Sequence, residues 1–133
     1  MANTELASRV GISEAPCFRR VRKLETDGLI TGYFARCDQR KLGFSVTAFV
    51  LISVDQHDEN ARRNFLNRVR DEDHVIECHA MTGAYDYLLK VVARDMDHFS
   101  ELSMDGILRW SGVKSIESQF SLKPIKLNAL LPI

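Results

Sequence analysis

This chain of 133 residues has little that serves covalent or metal cross-linking. Its three cysteines, Cys17, Cys37 and Cys78, are odd in number, far apart and without a C-x-x-C pair, which argues against a disulfide scaffold and a zinc knuckle. Proline and glycine are scarce, at 3 and 7 residues, so collagen-like and linker-like chains are excluded. No apolar run approaches the roughly 20 residues of a membrane-spanning helix. Residues 1–5 offer no basic cap ahead of an apolar stretch, so no secretory signal is expected and the cytoplasm is the expected location. The four histidines, His57, His74, His79 and His98, are scattered, with no H-x-x-x-H spacing. Cys78 and His79, adjacent on an expected strand, point to opposite faces and do not form a nucleophile–base pair. Neither G-x-x-x-x-G-K-[ST] nor G-x-G-x-x-G occurs. The chain is therefore not expected to be an enzyme, nor to hold a metal or a resident cofactor.

What is present is a globular balance, 45% hydrophobic and 27% charged, with a net charge of zero that hides an asymmetry. Residues 1–44 carry eight Lys/Arg against five Asp/Glu, and residues 45–133 carry ten against thirteen. A basic front piece on an acidic body suggests a polyanion-binding module joined to something else. The front piece reads as two helices. Thr4 is the expected cap of the first and Gly11 its stop; Ser13 is the expected cap of the second, with Pro16 in its first turn and Gly28 as its stop. On the second helix, Cys17, Phe18, Val21 and Leu24 share one arc, while Arg19, Arg20, Arg22 and Lys23 lie outside it. Cys17 reads as core rather than as a redox sensor. A basic face of this kind is either a polyanion-binding surface or simply solvated. Residues 29–35 are rich in β-formers and read as an extended strand, and residues 38–44 read as a polar linker.

From Ser45 the pattern changes. Residues 46–54 are apolar on both faces, as a covered strand would be. Ala61, Phe65, Leu66 and Val69 are spaced as a helix, and residues 74–81 and 85–93 read as strands joined by a turn at Thr82, Gly83 and Ala84. Phe99, Leu102, Ser103, Gly106, Ile107 and Trp110 predict one further helix, and residues 113–123 a last strand. The order is βαββαβ, the ferredoxin-like arrangement, whose helices cover one face of an antiparallel sheet and leave the other bare. The expected fold class is α+β, with domains at 1–37 and 45–133 and a linker at 38–44.

These residues resemble a known family. Leu6-Ala7, Val10-Gly11-Ile12-Ser13, Pro16 to Val21, Leu24-Glu25, Gly28 to Ile30 and Gly32-Tyr33 are similar to the winged-helix-like helix-turn-helix of the Lrp/AsnC feast–famine regulators. Lys41-Leu42-Gly43 is similar to the family's linker. Glu77-Cys78-His79, Thr82-Gly83 and Tyr85 to Val91 resemble the core motif of its effector domain, called RAM, and Gly112-Val113, Phe120, Leu122-Lys123 and Ile125-Lys126 fit its ending. The resemblance covers nearly the whole chain. It implies a DNA-binding transcriptional regulator that senses an amino acid and assembles as dimers and further, to octamers. Family members begin with a further helix before the one at Thr4. Relative to that pattern the helix-turn-helix is truncated, and Leu6, Val10, Val21 and Leu24 are expected to lack part of their cover. An amino-acid-sensing oligomer whose helix pair no longer binds DNA is the alternative reading.

A recognition helix meets base edges with its N-terminal residues, which nominates Glu14, Ala15, Pro16, Arg19 and Arg20. Arginine suits guanine O6 and N7, and Arg22 and Lys23 are placed for phosphates. The competing reading is that Arg20 or Arg22 pairs with Glu25 or another acid of the protein. For the effector, the turn Thr82-Gly83-Ala84-Tyr85-Asp86 offers amide N–H groups to a carboxylate, and Asp86 either meets an ammonium or merely stabilises the turn. In the resembling family amino acids sit near this motif, at contacts between subunits. That adds Ser118, Gln119 and Phe120 from the last strand, together with Ala80 and Met96. Ile116, where family members often have threonine, is expected to alter effector choice. The apolar stretch 127–133 is expected at an interface.

Overall fold

The computed structural model describes residues 1–127 and 130–133; of the apolar stretch expected at an interface, Asn128 and Ala129 lie outside the described residues. The chain divides into two compact units, Met1–Cys37 and Asp38–Ile133.

The first unit is a helix pair, α1 (Asn3–Val10) and α2 (Glu14–Thr26). Gly11 ends α1 and Gly28 follows α2, both at positive φ. Thr4 is not the cap of α1. The helix begins two residues earlier than that, after Ala2, whose carbonyl accepts from the Leu6 N–H, and Thr4 lies within the first turn. Ser13 does occupy the cap position of α2, with extended backbone, but its hydroxyl makes no capping bond. Ala7 and Cys17 are the buried apolar residues of this unit, whereas Val10, Phe18 and Leu24 from the expected apolar arcs are 57%, 50% and 40% exposed. Two helices in contact bury the seam between them and little beyond it. The strand expected at 29–35 does not form. The Leu29 and Ile30 N–H groups both donate to the Leu24 carbonyl, closing the end of α2. The residues that follow find no strand to pair with among those described.

The second unit opens with a hydrogen-bonded turn in place of a loose connector. Leu42 donates to Asp38, Phe44 donates to Gln39, and the Gln39 amide donates to the Phe44 carbonyl and the Thr47 hydroxyl. Strand β1 (Val46–Val54) follows, then α3 (Glu59–Asp71), β2 (Val75–Ala80), β3 (Tyr87–Ala93), α4 (Met96–Met104) and β4 (Val113–Phe120). The sheet is antiparallel in the order β2-β3-β1-β4, which is the ferredoxin-like βαββαβ arrangement. Asp58 and Asp95 cap α3 and α4 by accepting from the Ala61 and His98 N–H groups, satisfying donors that a helix start leaves orphaned.

Ala48, Val50, Ile52 and Val54 are all buried and alternate along β1. They share one core with Phe65 and Val69 of α3, Tyr87, Leu89 and Val91 of β3, Phe99 of α4 and Ile107. Phe65 lies 5.1 Å from the Tyr87 ring and 6.0 Å from that of Trp110. Burying each such side chain contributes roughly 1.5–3 kcal/mol. The helix expected through Trp110 breaks after Met104 and resumes as a 3-10 turn, Ile107–Arg109. A Cβ at Gly106 would collide with the Leu102 carbonyl, so the backbone there approaches more closely than any other residue allows. Among the described residues no helix covers the opposite sheet face, and Phe49, Leu51 and Leu88 lie half-buried upon it.

Candidate functional site

The second helix presents its charge outward. Glu14, Ala15, Arg19, Arg20, Arg22 and Lys23 are exposed and Pro16 is half-buried in the first turn. Arg22 rests over the Phe18 ring at 5.9 Å, and Lys23 pairs with Asp27 at 3.3 Å. Among the described residues no arginine of α2 pairs with Glu25 or with another acid. Among the described residues the Arg19 and Arg20 guanidinium groups have no hydrogen bond or ion pair. Two fixed cations one residue apart, next to a small and stiff helix tip, form a surface suited to phosphates and base edges.

The expected ligand turn joins β2 to β3. Met81 N–H donates to the Asp86 carbonyl at 2.9 Å, and Asp86 N–H to the Ile52 carbonyl at 2.8 Å. Between those bonds the N–H groups of Thr82, Gly83, Ala84 and Tyr85 have no acceptor among the described residues. Gly83 holds φ at 100°, a conformation that costs other residues strain. A short run of free amides on a turn can donate to an anion such as a carboxylate.

Asp86 is anchored inward. Its Oδ2 accepts from the Val54 N–H at 2.9 Å and its Oδ1 from the Gln56 amide at 2.5 Å. Sequence reasoning missed both partners. The neighbouring Glu117 of β4 raises the Tyr85 phenol above its usual range; Glu117, too, was not anticipated.

The other expected ligand residues separate along the sheet. Ala80 pairs with Tyr87, and Tyr87 with Ile52, at the end of β1 that holds the turn. Ser118, Gln119 and Phe120 pair with Val50, Phe49 and Ala48, back toward the start of β1. Met96 opens α4 just after Ala93, which lies opposite Val46. Six residue steps along the strand separate Ala48 from Val54, about 20 Å at a strand's rise. One copy of the chain does not bring Phe120 and Met96 to the turn. Phe120 instead packs edge-on against Phe99 at 4.9 Å. Ile116 faces the core opposite Ile52.

On the bare face, Glu77 accepts from His79 at 3.0 Å and lies 3.6 Å from the Lys90 ammonium. The His79 hydrogen bond, helped by the Lys90 charge, holds the Glu77 carboxyl below the usual carboxylate range against the opposing effect of burial. Burial raises the Cys78 thiol, so it is a poor nucleophile. Among the described residues no group of histidine, cysteine and carboxylate side chains is arranged to hold a metal ion, and no helix is long and apolar enough to cross a membrane.

Comparison with known proteins bears on both surfaces. A family model described as the Lrp/AsnC ligand binding domain matches residues 47–131, and one described as winged helix-turn-helix DNA-binding matches residues 1–31. The chain is 36% identical over 129 residues to the Bkd operon transcriptional regulator of Pseudomonas aeruginosa, covering 97% of this chain and 84% of that protein. It is 34% identical over 133 residues to the leucine-responsive regulatory protein of Escherichia coli, covering 100% of this chain and 81% of that one. A transcriptional regulator of Neisseria meningitidis, solved as its L-methionine complex, aligns with a TM-score of 0.96 at 36% identity, over 99% of this chain and 85% of that chain.

Proposed function

Because the chain belongs to the Lrp/AsnC family of transcriptional regulators, we propose that it regulates transcription by binding double-stranded DNA through α2, and that an amino acid held at the β2–β3 turn changes that binding. Residues 1–37 are the DNA-binding part, 38–44 join it to the rest, and 45–133 sense the effector and assemble the oligomer. Glu14, Ala15 and Pro16 form the tip that enters the major groove. Arg19 and Arg20 reach base edges, and Arg22 and Lys23 hold phosphates.

Operators of near-palindromic sequence need two such helices, hence two copies of the chain. The bare sheet face supplies the contact. Its centre is Phe49, Leu51 and Leu88, and its rim is Glu77, Lys90, Glu117 and Gln119, an apolar patch inside a polar border.

The effector's carboxylate sits on the free amides of Thr82 to Tyr85, beside Asp86 and Ala80. Ser118, Gln119, Phe120 and Met96 complete the site from another copy, since they lie away from the turn in their own chain. A ligand shared between copies binds one arrangement of the assembly better than another, and that difference is what reaches the DNA. Dimers that pair further, toward octamers, provide such alternative arrangements. L-methionine, the ligand of the Neisseria meningitidis regulator, is the first effector to try.

The observation that carries this reading is the run of unpaired amides at the turn, in a chain whose α2 also presents two unpaired arginines. Thermal unfolding against a panel of twenty L-amino acids tests it. A ligand at a hundredfold excess over its Kd adds about 2.7 kcal/mol, so the effector raises the transition by several degrees. An unchanged transition with every amino acid contradicts the reading. One observation favours an oligomeric sensor that does not bind DNA: Val10, Phe18 and Leu24 are exposed, so the helix pair rests on a narrow seam. That sensor would show the thermal shift without operator affinity.

A further inference from the structure

We propose that Gln56 and Asp86 form a lock that holds the β2–β3 turn in its ligand-accepting shape, so that Asp86 is a positioning residue and not the counter-charge of the ligand's ammonium. The inference rests on the effector reading above. Every polar group of Asp86 is already engaged within the chain. Its N–H donates to Ile52, its carbonyl accepts from Met81, and its two carboxylate oxygens accept from Val54 and Gln56. The Met81 and Ile52 bonds fix where the turn leaves and rejoins the sheet. The carboxylate then spans the end of β1, from the last strand residue to a residue two further on. Among the described residues no cation lies against it, and its charge is met by N–H donors, in bonds stronger than neutral ones. What remains turned toward a ligand is the run of amides between Met81 and Asp86.

The lock requires a neutral donor at position 56. Glutamate there would set two carboxylates against each other, and such a pair holds together only by sharing a proton. The charged groups near position 56 are Asp86 across the loop and Asp55, His57 and Asp58 on its own loop. Asp55 and Asp58 accept from the His57 and Ala61 N–H groups. Glu117 of β4 acts on Tyr85, the residue before Asp86. The unmodified chain carries all of these and is the reference at each pH.

The test measures L-methionine affinity by calorimetry for the unmodified chain, Gln56→Glu and Asp86→Asn, at pH 5 and pH 8, with a thermal melt of each protein to establish that it is folded. Gln56→Glu is expected to bind close to the unmodified chain at pH 5 and about tenfold or more weaker at pH 8, the scale of a lost hydrogen bond to a charged group. Asp86→Asn is expected to stay within about threefold, because the new amide still accepts from Val54 and Gln56 can turn its own amide to present oxygen. The opposite pattern overturns the lock: Asp86→Asn losing binding at both pH values while Gln56→Glu binds normally at pH 8. Hydrogen exchange of the Val54 amide reads the lock without ligand. It accelerates in Gln56→Glu at pH 8 if the lock exists, and stays as in the unmodified chain if it does not. An unmodified chain that binds no L-methionine overturns its role as effector, while the exchange measurement still decides whether Gln56 holds Asp86.

Discussion

Asp86 and Val54, 32 positions apart in the chain, meet where the Val54 N–H donates to Asp86 Oδ2 at 2.9 Å. Val54 is the last residue of β1, and its N–H would otherwise lose its partner where the ladder ends. Asp86 satisfies it and in doing so ties the candidate ligand turn to the central strand. On the proposed reading, structure and ligand binding therefore depend on the same carboxylate.

Asp86→Ala is expected to remove the L-methionine-dependent rise in melting temperature. It also leaves the Val54 N–H without its partner, which costs about 1–3 kcal/mol. Melts with and without ligand check this; a full ligand shift in the variant contradicts it.

On α2, Arg19→Ala and Arg20→Ala are each expected to weaken operator binding by about 1–3 kcal/mol if the side chain reads a guanine. Lys23→Ala is expected to weaken all duplexes alike and to lower the slope of log K against log salt by about 1. Titrations at several salt concentrations separate the two behaviours. Unchanged affinities for both arginine variants would remove α2 from the interface.

The bare sheet face gives a prediction about assembly. Leu51 lies opposite Glu117 in the β1–β4 register, so Leu51→Glu places like charges side by side in the centre of the apolar patch. The expected result is a monomer by light scattering at concentrations where the unmodified chain is a dimer. A variant that keeps its dimer places the contact on another surface.

Glu77 gives an acid dependence of defined sign. Its folded pKa is lowered from the ordinary 4.5 by the His79 hydrogen bond and the Lys90 charge. The stability it adds is present above about pH 4.5 and is lost as pH falls below that, through the lowered value. The pair is half exposed, so the contribution is below about 1 kcal/mol. Glu77→Gln is expected to flatten this part of the acid limb of the stability curve, and an unchanged limb would show that the pairing contributes nothing.

Much of the fold is legible in the sequence because it depends on periodicity. Ala48, Val50, Ile52 and Val54 alternate as one buried face, and Ala61, Phe65 and Val69 mark the buried stripe of α3. What was not legible depends on partners. Residues 29–35 have strand composition, but composition does not supply a neighbouring strand, and two of their N–H groups close the end of α2. The apolar period continues through Gly106, yet the close approach of its backbone to Leu102 ends the helix. Phe18 and Leu24 fall on an apolar arc that the helix pair covers only partly.

In the site, Gly83 and Asp86 stand out in the sequence as turn residues. Gln56 and Glu117 do not, because only the sheet order β2-β3-β1-β4 brings the loop after β1 to Asp86, and the turn to β4. The same register explains why Phe120 and Met96, expected with the turn, lie away from it within one chain.

The central claim is that this chain binds DNA specifically and that an amino acid changes that binding. Fluorescence anisotropy of its own upstream promoter duplex, beside a scrambled duplex, across a salt series and with or without saturating L-methionine, tests it most directly. The account predicts tighter binding to the promoter, a steep fall with salt and a shift in affinity on adding the amino acid. Equal, weak binding to both duplexes that L-methionine leaves unchanged would contradict it.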